Sequence, residues 1–249
     1  MMNPAEFENI ARAEASHWWY RGMRAILYRM LDPILRGRRI SRVLEAGCGT
    51  GYMARLLGER YRWRMFPADL GWDGLTYARA NGGQHLTQAD ITHLPFPADT
   101  FDAVVSLDVI VHFPRGEEGR AIAELARVLK PGGLMVVRVA ALDVLRSRHS
   151  QHAFERQRFT RRRLVELARR HGIGVVRASY ANSLLLPVAW LKFRVWEPLS
   201  AAPPASGVQM LPTWLDRSLG APLALEAAWL GTGRNFPLGQ SLILIGEKS

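Results

Sequence analysis

Short apolar runs alternate along the chain with stretches in which apolar side chains recur every three or four positions. Strands are predicted at 42–45, 64–69, 101–107 and 134–139, where Val, Leu, Met, Phe and Ala dominate. The clearest helix is predicted over 117–129, where Ile122, Leu125, Ala126 and Leu129 repeat at helical spacing before Lys130-Pro131-Gly132-Gly133 stops it. Strands alternating with helices predict a parallel sheet covered on both faces. Upstream, 5–32 reads as one helix with a stop near Asp32-Pro33. Downstream, Thr160 is a predicted N-cap for a helix over 161–170 that ends at His171-Gly172, with Leu164, Leu167 and Ala168 on its buried face. Two further strands are predicted at 174–180 and 241–246. About 60 residues separate them, too many for a structureless loop in a compact domain. Leu184, Leu185, Leu186, Trp190, Trp196, Trp214, Leu215 and Trp229, interrupted by Pro203-Pro204-Ala205-Ser206-Gly207, predict a few apolar helices folded over one end of the sheet. The chain thus divides into a helical cap (1–40), a core (41–181 and 239–249) and an insert (182–238).

A chain of 249 residues, 48% hydrophobic, fits one compact domain carrying an elaboration, and excludes disorder, collagen and a coiled coil. The acidic opening lacks an apolar signal region and no stretch has the roughly 20 apolar residues of a membrane span, so a soluble cytoplasmic protein is expected. A single cysteine, Cys48, makes neither an internal disulfide nor, alone, a thiolate metal site, and no metal is expected. The net charge of +11 is unevenly spread. Residues 12–64 carry 12 basic and 4 acidic side chains and residues 146–177 carry 10 and 2, whereas residues 65–145 carry 6 and 10. Of the 33 cations only Lys130, Lys192 and Lys248 are lysine, a skew that a GC-rich coding sequence produces without any selection for phosphate binding.

The most specific local signal is Val43-Leu44-Glu45-Ala46-Gly47-Cys48-Gly49-Thr50-Gly51, a strand that breaks into a glycine turn and then a helix. Missing Cβ atoms let a ligand lie against the backbone, and the helix N-terminus offers unpaired N–H groups. A dinucleotide fingerprint would place its third glycine at position 52, which is Tyr52; here it is Gly51. The tighter turn suits a ligand without a pyrophosphate, such as S-adenosylmethionine (SAM). Asp69 stands 18 residues after Gly51, where a nucleotide site needs a carboxylate at the end of the neighbouring strand.

Glu45, Gly47, Gly49 and Gly51 form an E-x-G-x-G-x-G pattern that resembles the class I SAM-dependent methyltransferases, type 11-like bacterial members in particular. The likeness is strong over 42–139 and looser over the last two strands. It implies a Rossmann-like α/β fold: seven strands, mostly parallel, helices on both faces, the last strand antiparallel and a helical insert before it. It also implies SAM as cofactor and S-adenosylhomocysteine as product. The turn, with Ala46 and Cys48, would hold SAM, as would Asp69 and Leu70 at the ribose, Asp90 and Ile91 ahead of Leu94-Pro95-Phe96 at the adenine, and Leu107 in the fourth-strand motif 101–108. His17-Trp18-Trp19-Tyr20-Arg21-Gly22-Met23-Arg24 resembles an N-terminal signature of one bacterial branch, which would bring Tyr20 and Arg21 to SAM's carboxylate end; the competing reading makes Trp18 and Trp19 core anchors.

Methyl transfer from a sulfonium needs alignment and exclusion of water, and a base only where the acceptor has a proton to lose. His112, just beyond the fourth strand, is the candidate base; the competing role is a helix cap or pocket wall. Arg156-Gln157-Arg158-Phe159-Thr160-Arg161-Arg162-Arg163, with His149 and His152, reads either as a grip for a phosphate or anionic acceptor, or as a solvated helix face. The expected function is methylation, on oxygen, of a small apolar or lipid- or glycan-linked acceptor held by the insert, with segment 146–177 able to touch a membrane surface or anionic acceptor. The alternatives are an RNA or DNA methyltransferase using segments 12–64 and 146–177 as a backbone footprint, and a non-catalytic SAM-binding protein. Nucleic acid is disfavoured, because Ser106-Leu107-Asp108-Val109 stands where an N/D-P-P-Y tetrapeptide would be expected.

Overall fold

The computed structural model describes residues 3–199, 203, 206–208 and 211–249. Two helices, α1 (Pro4–Ala13) and α2 (Trp18–Leu35), precede an alternating series: β1 (Arg42–Ala46), α3 (Tyr52–Tyr61), β2 (Arg64–Asp69), α4 (Trp72–Ala80), β3 (Thr87–Gln88), β4 (Phe101–Leu107), α5 (Glu118–Val128) and β5 (Leu129–Ala140). After α6 (Arg148–His152), α7 (Arg161–Arg170) and β6 (Ile173–Ala181) comes a helical run made of α8 (Leu186–Leu191), a π-helical turn (Lys192–Trp196) and α9 (Glu197–Leu199). Helix α10 (Thr213–Gly231) and β7 (Ser241–Lys248) follow. The seven strands form one sheet in the order β3-β2-β1-β4-β5-β7-β6, parallel except for β7, which runs antiparallel to both neighbours. This is the expected Rossmann-like fold.

Strand alternation splits the core into two layers. Val43, Ala103, Val105, Val136, Ile243 and Ile245 face α2 and α10, where Met23, Ile26, Leu27, Met30, Leu223, Ala227 and Leu230 are buried. Leu44, Val104, Met135, Val137 and Leu244 point the other way, onto Ile122 and Leu125 of α5 and Leu164 and Ala168 of α7.

The N-terminal helix expected over 5–32 is two helices. The break at 14–17 is made by polar contacts: Glu14 turns inward to accept a hydrogen bond from Thr50 Oγ1, and the His17 side chain caps α2 by accepting from the Trp19 N–H. Pro33 does not stop α2, which runs on to Leu35. Its missing N–H costs α2 one bond, to the Arg29 carbonyl, and the helix ends two residues later, at Leu35. Likewise Lys130-Pro131-Gly132-Gly133 ends α5 but opens β5, its extra residues absorbed by a register shift between Phe101 and Ala103 of β4. Strand β3, two residues long, is too short for any periodicity to reveal.

The insert is helical, and its parts have different destinations. Helix α10 lies on α2 across one face of the sheet, whereas the run 186–199 borders the cavity described below. Helix α10 also positions the start of that run: Glu226, fully buried, accepts the Ser183 and Leu184 N–H groups at 2.7 and 2.8 Å. Of the segment 203–207, Pro204 and Ala205 lie outside the described residues.

Candidate cofactor and acceptor site

The carboxyl ends of β1, β2, β4 and β5 open into a cavity of about 1160 Å³, the position in which parallel α/β sheets bind ligands. Its floor is the turn after β1. Gly47, Gly49 and Gly51 all adopt positive φ (78°, 53° and 69°), a bend closed by the Gly47 and Cys48 N–H groups donating to the Ala68 carbonyl. A Cβ on Gly49 would meet only Phe7, at 3.8 Å, so the backbone here is open to a ligand. Asp69 ends β2 and braces the turn: its Oδ2 accepts the Gly49 N–H and its Oδ1 the Gly71 N–H, both at 2.8 Å. Burial raises the Asp69 carboxyl above its ordinary range, against the pull of these two donors.

Glu45 is buried beneath the turn with Oε2 unpartnered. Burial pushes its carboxyl up to about 8, so at neutral pH it carries a proton it can donate. Cys48 lines the cavity edge but packs with Leu75 and Ala78, and burial pushes its thiol up, which suits packing and not nucleophilic chemistry.

Leu70, Asp90, Ile91 and Leu107 all line the cavity. Asp90 uses Oδ1 to cap its own loop, accepting from the Thr92 N–H and Oγ1 at 2.8 Å each. Ala46 and Gly51 do not line it. His112 follows β4 on a 3-10 turn (Ile110–His112), with Nδ1 3.2 Å from the Phe154 carbonyl. Burial lowers its pKa below the ordinary imidazole value, so the ring is neutral at pH 7. A neutral ring that donates through Nδ1 keeps its lone pair on Nε2.

Tyr20 reaches the cavity beside Trp19, and burial pushes its phenol well up, which keeps it protonated as a donor. Arg21 does not: its guanidinium is turned away to Asp216 of α10, Nη2 to Oδ2 2.8 Å, because the same carboxylate also caps the Trp18 N–H and pins that face of α2 outward. One helical turn makes the difference, and Arg24 lines the cavity instead.

Several lining groups escaped the sequence reading. Arg138 of β5 is buried, bonds through Nε to Asp108 Oδ2 at 2.9 Å, and lies 5.3 Å from the centre of the Trp19 ring. The signal was available, since a lone cation stood inside the apolar run Val136-Val137-Arg138-Val139. Helix α1 adds Glu6 and Phe7, and the break after it adds Glu14, none of which any motif marked. Of the basic segment, Arg163 turns inward to Glu118 and Gln157, whereas Arg148, Arg156 and Arg158 line the cavity, Arg158 while bonded to Glu155.

Phe7 of α1 and Glu14, just beyond its end, roof the turn, and burial pushes the Glu14 carboxyl from 4.5 up to about 7. A carboxyl bound more tightly to its proton in the folded chain stabilises it most below pH 4.5 and loses that contribution as pH rises through about 7. The thermal midpoint is therefore expected to fall between about pH 5 and about pH 8, and Glu14→Gln to flatten that fall. A scan of melting against pH for both chains checks it.

The fold and the site together describe an α/β domain with one large cavity at the carboxyl ends of its parallel strands. The family described as methyltransferase domain matches residues 44–137, so the chain carries a domain of the class I SAM-dependent methyltransferase type. It is 38% identical over 96 residues to a fatty-acid O-methyltransferase of Mycolicibacterium smegmatis, covering 37% of this chain and 34% of that protein. It is 36% identical over 107 residues to a mouse protein named "Probable tRNA methyltransferase 9B", covering 41% and 22%. The chain spans less than half the length of the curated relatives it matches first. A chain from the complex between the Haloferax volcanii Trm112 methyltransferase activator and a methyltransferase shares the fold with a TM-score of 0.60 at 22% identity, over 98% of this chain and 97% of that one.

Proposed function

We infer that this protein transfers a methyl group from SAM to a hydroxyl of an apolar, lipid- or glycan-linked acceptor. One observation carries the reading. The open Gly49 backbone, the Asp69 carboxylate and the unpartnered Glu45 oxygen share one cavity with Leu185, Val188, Ala189, Phe193 and Trp196 of the insert. At about 1160 Å³ the cavity exceeds the ~300–1,000 Å³ that one small ligand occupies, leaving room for an acceptor beside a cofactor.

The residues present fit SAM. Each Asp69 oxygen keeps a lone pair for a ribose hydroxyl, protonated Glu45 has a free donor, and Arg24 and the Tyr20 hydroxyl can meet a carboxylate. When bound, SAM supplies an electrophilic methyl on a sulfonium. The chain's own contribution is to hold the acceptor among the apolar side chains of the insert, exclude water, and accept the acceptor's hydroxyl proton at His112 Nε2.

Asp69→Asn removes the charge yet keeps an acceptor for one of the two backbone donors. It is expected to weaken SAM binding by about 1–3 kcal/mol. Calorimetry measures this directly, and unchanged affinity takes Asp69 out of the site. The activity is tested by adding SAM and a cell-extract lipid fraction to the pure protein and following, by mass spectrometry, S-adenosylhomocysteine and lipids one methyl heavier. A chain that binds SAM but releases no S-adenosylhomocysteine with any fraction is a binding protein.

A nucleic-acid acceptor is the second reading, favoured by the mouse relative's name and by the exposed Arg161, Arg162, Arg169 and Arg170 of α7. None of these four lines the cavity. That reading requires RNA affinity that falls steeply with salt.

A further inference from the structure

We propose that the helical run 186–199 lies on the surface of an anionic lipid bilayer and that the acceptor enters the cavity from that bilayer. The proposal rests on the methyl-transfer reading only for what then happens to the acceptor.

The run reads Leu-Pro-Val-Ala-Trp-Leu-Lys-Phe-Arg-Val-Trp-Glu-Pro-Leu, and it is apolar on every side. Val188, Ala189, Lys192, Phe193 and Trp196 line the cavity, while Trp190, Leu191, Val195 and Leu199 do not. Within this run only Ala189 is buried. Leu191 is 56% exposed, Trp190 48%, Val195 40% and Leu199 81%, and none of the run belongs to the apolar clusters on either sheet face. Apolar side chains this exposed and this close together form a patch of the kind that marks a contact with a membrane or another protein.

Charge selects the lipid. The run's only acid, Glu197, is engaged by Arg148, its carboxylate accepting the Arg148 N–H at 2.9 Å. The run carries two cations, Lys192 and Arg194, against that one acid, on a chain of net charge +11, a positive balance that complements phosphatidylglycerol or phosphatidylserine headgroups. Trp190 and Trp196 are amphipathic rings of the kind that settle at headgroup depth. No helix among the described residues is long and apolar enough to cross a membrane, so the run lies in the interface plane.

The position of the run gives the contact a purpose. Lys192 and Trp196 belong to the cavity wall and are also exposed to solvent, with half-buried Phe193 between them. A bilayer that accepts Trp190, Leu191 and Leu199 therefore sits against the cavity's edge, and a lipid-linked acceptor moves from acyl chains to apolar side chains without crossing water.

Co-sedimentation of the full chain with vesicles tests this, using phosphatidylcholine alone and phosphatidylcholine mixed with phosphatidylglycerol. Partition onto the mixed vesicles is expected to be about tenfold stronger than onto phosphatidylcholine. The double substitution Trp190→Ser with Leu191→Ser, at positions away from the cavity, is expected to lower partition onto both by about tenfold. Its SAM affinity by calorimetry should match the unsubstituted chain, which shows that it folds. No partition onto mixed vesicles overturns the proposal, as does equal partition of the double variant. So does a chain that is dimeric in solution, becomes monomeric on the double substitution and ignores vesicles, because the face then covers a second copy. Vesicle binding without any methyl transfer upholds the docking and removes the methyl-transfer reading.

Discussion

Replacing His112 by alanine is expected to lower turnover by about 10²–10⁴-fold while SAM affinity stays within about twofold. The expectation follows from three features of the ring. It lines the cavity directly after β4, it spends Nδ1 on the Phe154 carbonyl at 3.2 Å, and burial lowers its pKa. A base with a depressed pKa remains unprotonated further into acid, so the acid limb of the activity profile should fall below pH 6.5, the ordinary imidazole value, and move or vanish in His112→Ala. Single-turnover rates across pH, set beside SAM calorimetry on both chains, check it. A rate unchanged by the substitution makes His112 part of the wall and leaves alignment and water exclusion as the whole of the catalysis.

The second large effect is on stability. Gly51→Ala is expected to lower the free energy of unfolding by about 2–5 kcal/mol, from left-handed strain together with overpacking. Gly51 caps the start of α3 at φ 69°, and a Cβ there would lie 2.6 Å from Ala78 Cβ and 2.9 Å from Ala78 Cα. The second neighbour is backbone, so relief requires α3 to move away from α4, and the glycine turn with it. Gly82 is the matched control, with φ 83° and nothing within 4 Å of its Cβ. Gly82→Ala should show the strain alone, roughly 1–2 kcal/mol. Denaturant unfolding of both variants checks the difference, and equal losses would mean that α4 does not press on the turn.

Where backbone preference and burial pointed the same way, the sequence could be read closely. Helix α7 starts after Thr160 and ends before His171 as its cap and stop predict, and β1, β2 and β4 lie where their apolar runs are. Errors fell where a distant partner decided. Glu14 breaks the first helix only because Thr50, 36 residues away, receives it. Arg21 leaves the cavity because Asp216, 195 residues away, holds it. The cavity lining was legible in the same measure: Gly47, Cys48 and Gly49 of the turn line it, while Ala46 and Gly51 do not, and Phe7, Arg24, Arg138 and Asp108 enter it through packing that no local spacing records. The insert was read as apolar helices, but its division between a sheet-packing α10 and an exposed run depends on which face meets α2.

Strand β7 is inserted between β5 and β6, two elements that precede it, and pairs with β5 across about a hundred residues of intervening chain. Until it docks, β6 has no hydrogen-bonded neighbour in the sheet. Closing so long a loop is slow because its entropy is lost before any pairing rewards it. Refolding should accordingly show an early phase that builds the β1–β5 half and a late one that recruits β6 and β7 together, with the part of the cavity wall made by Asn182, Gln240 and Ser241 appearing only in the second.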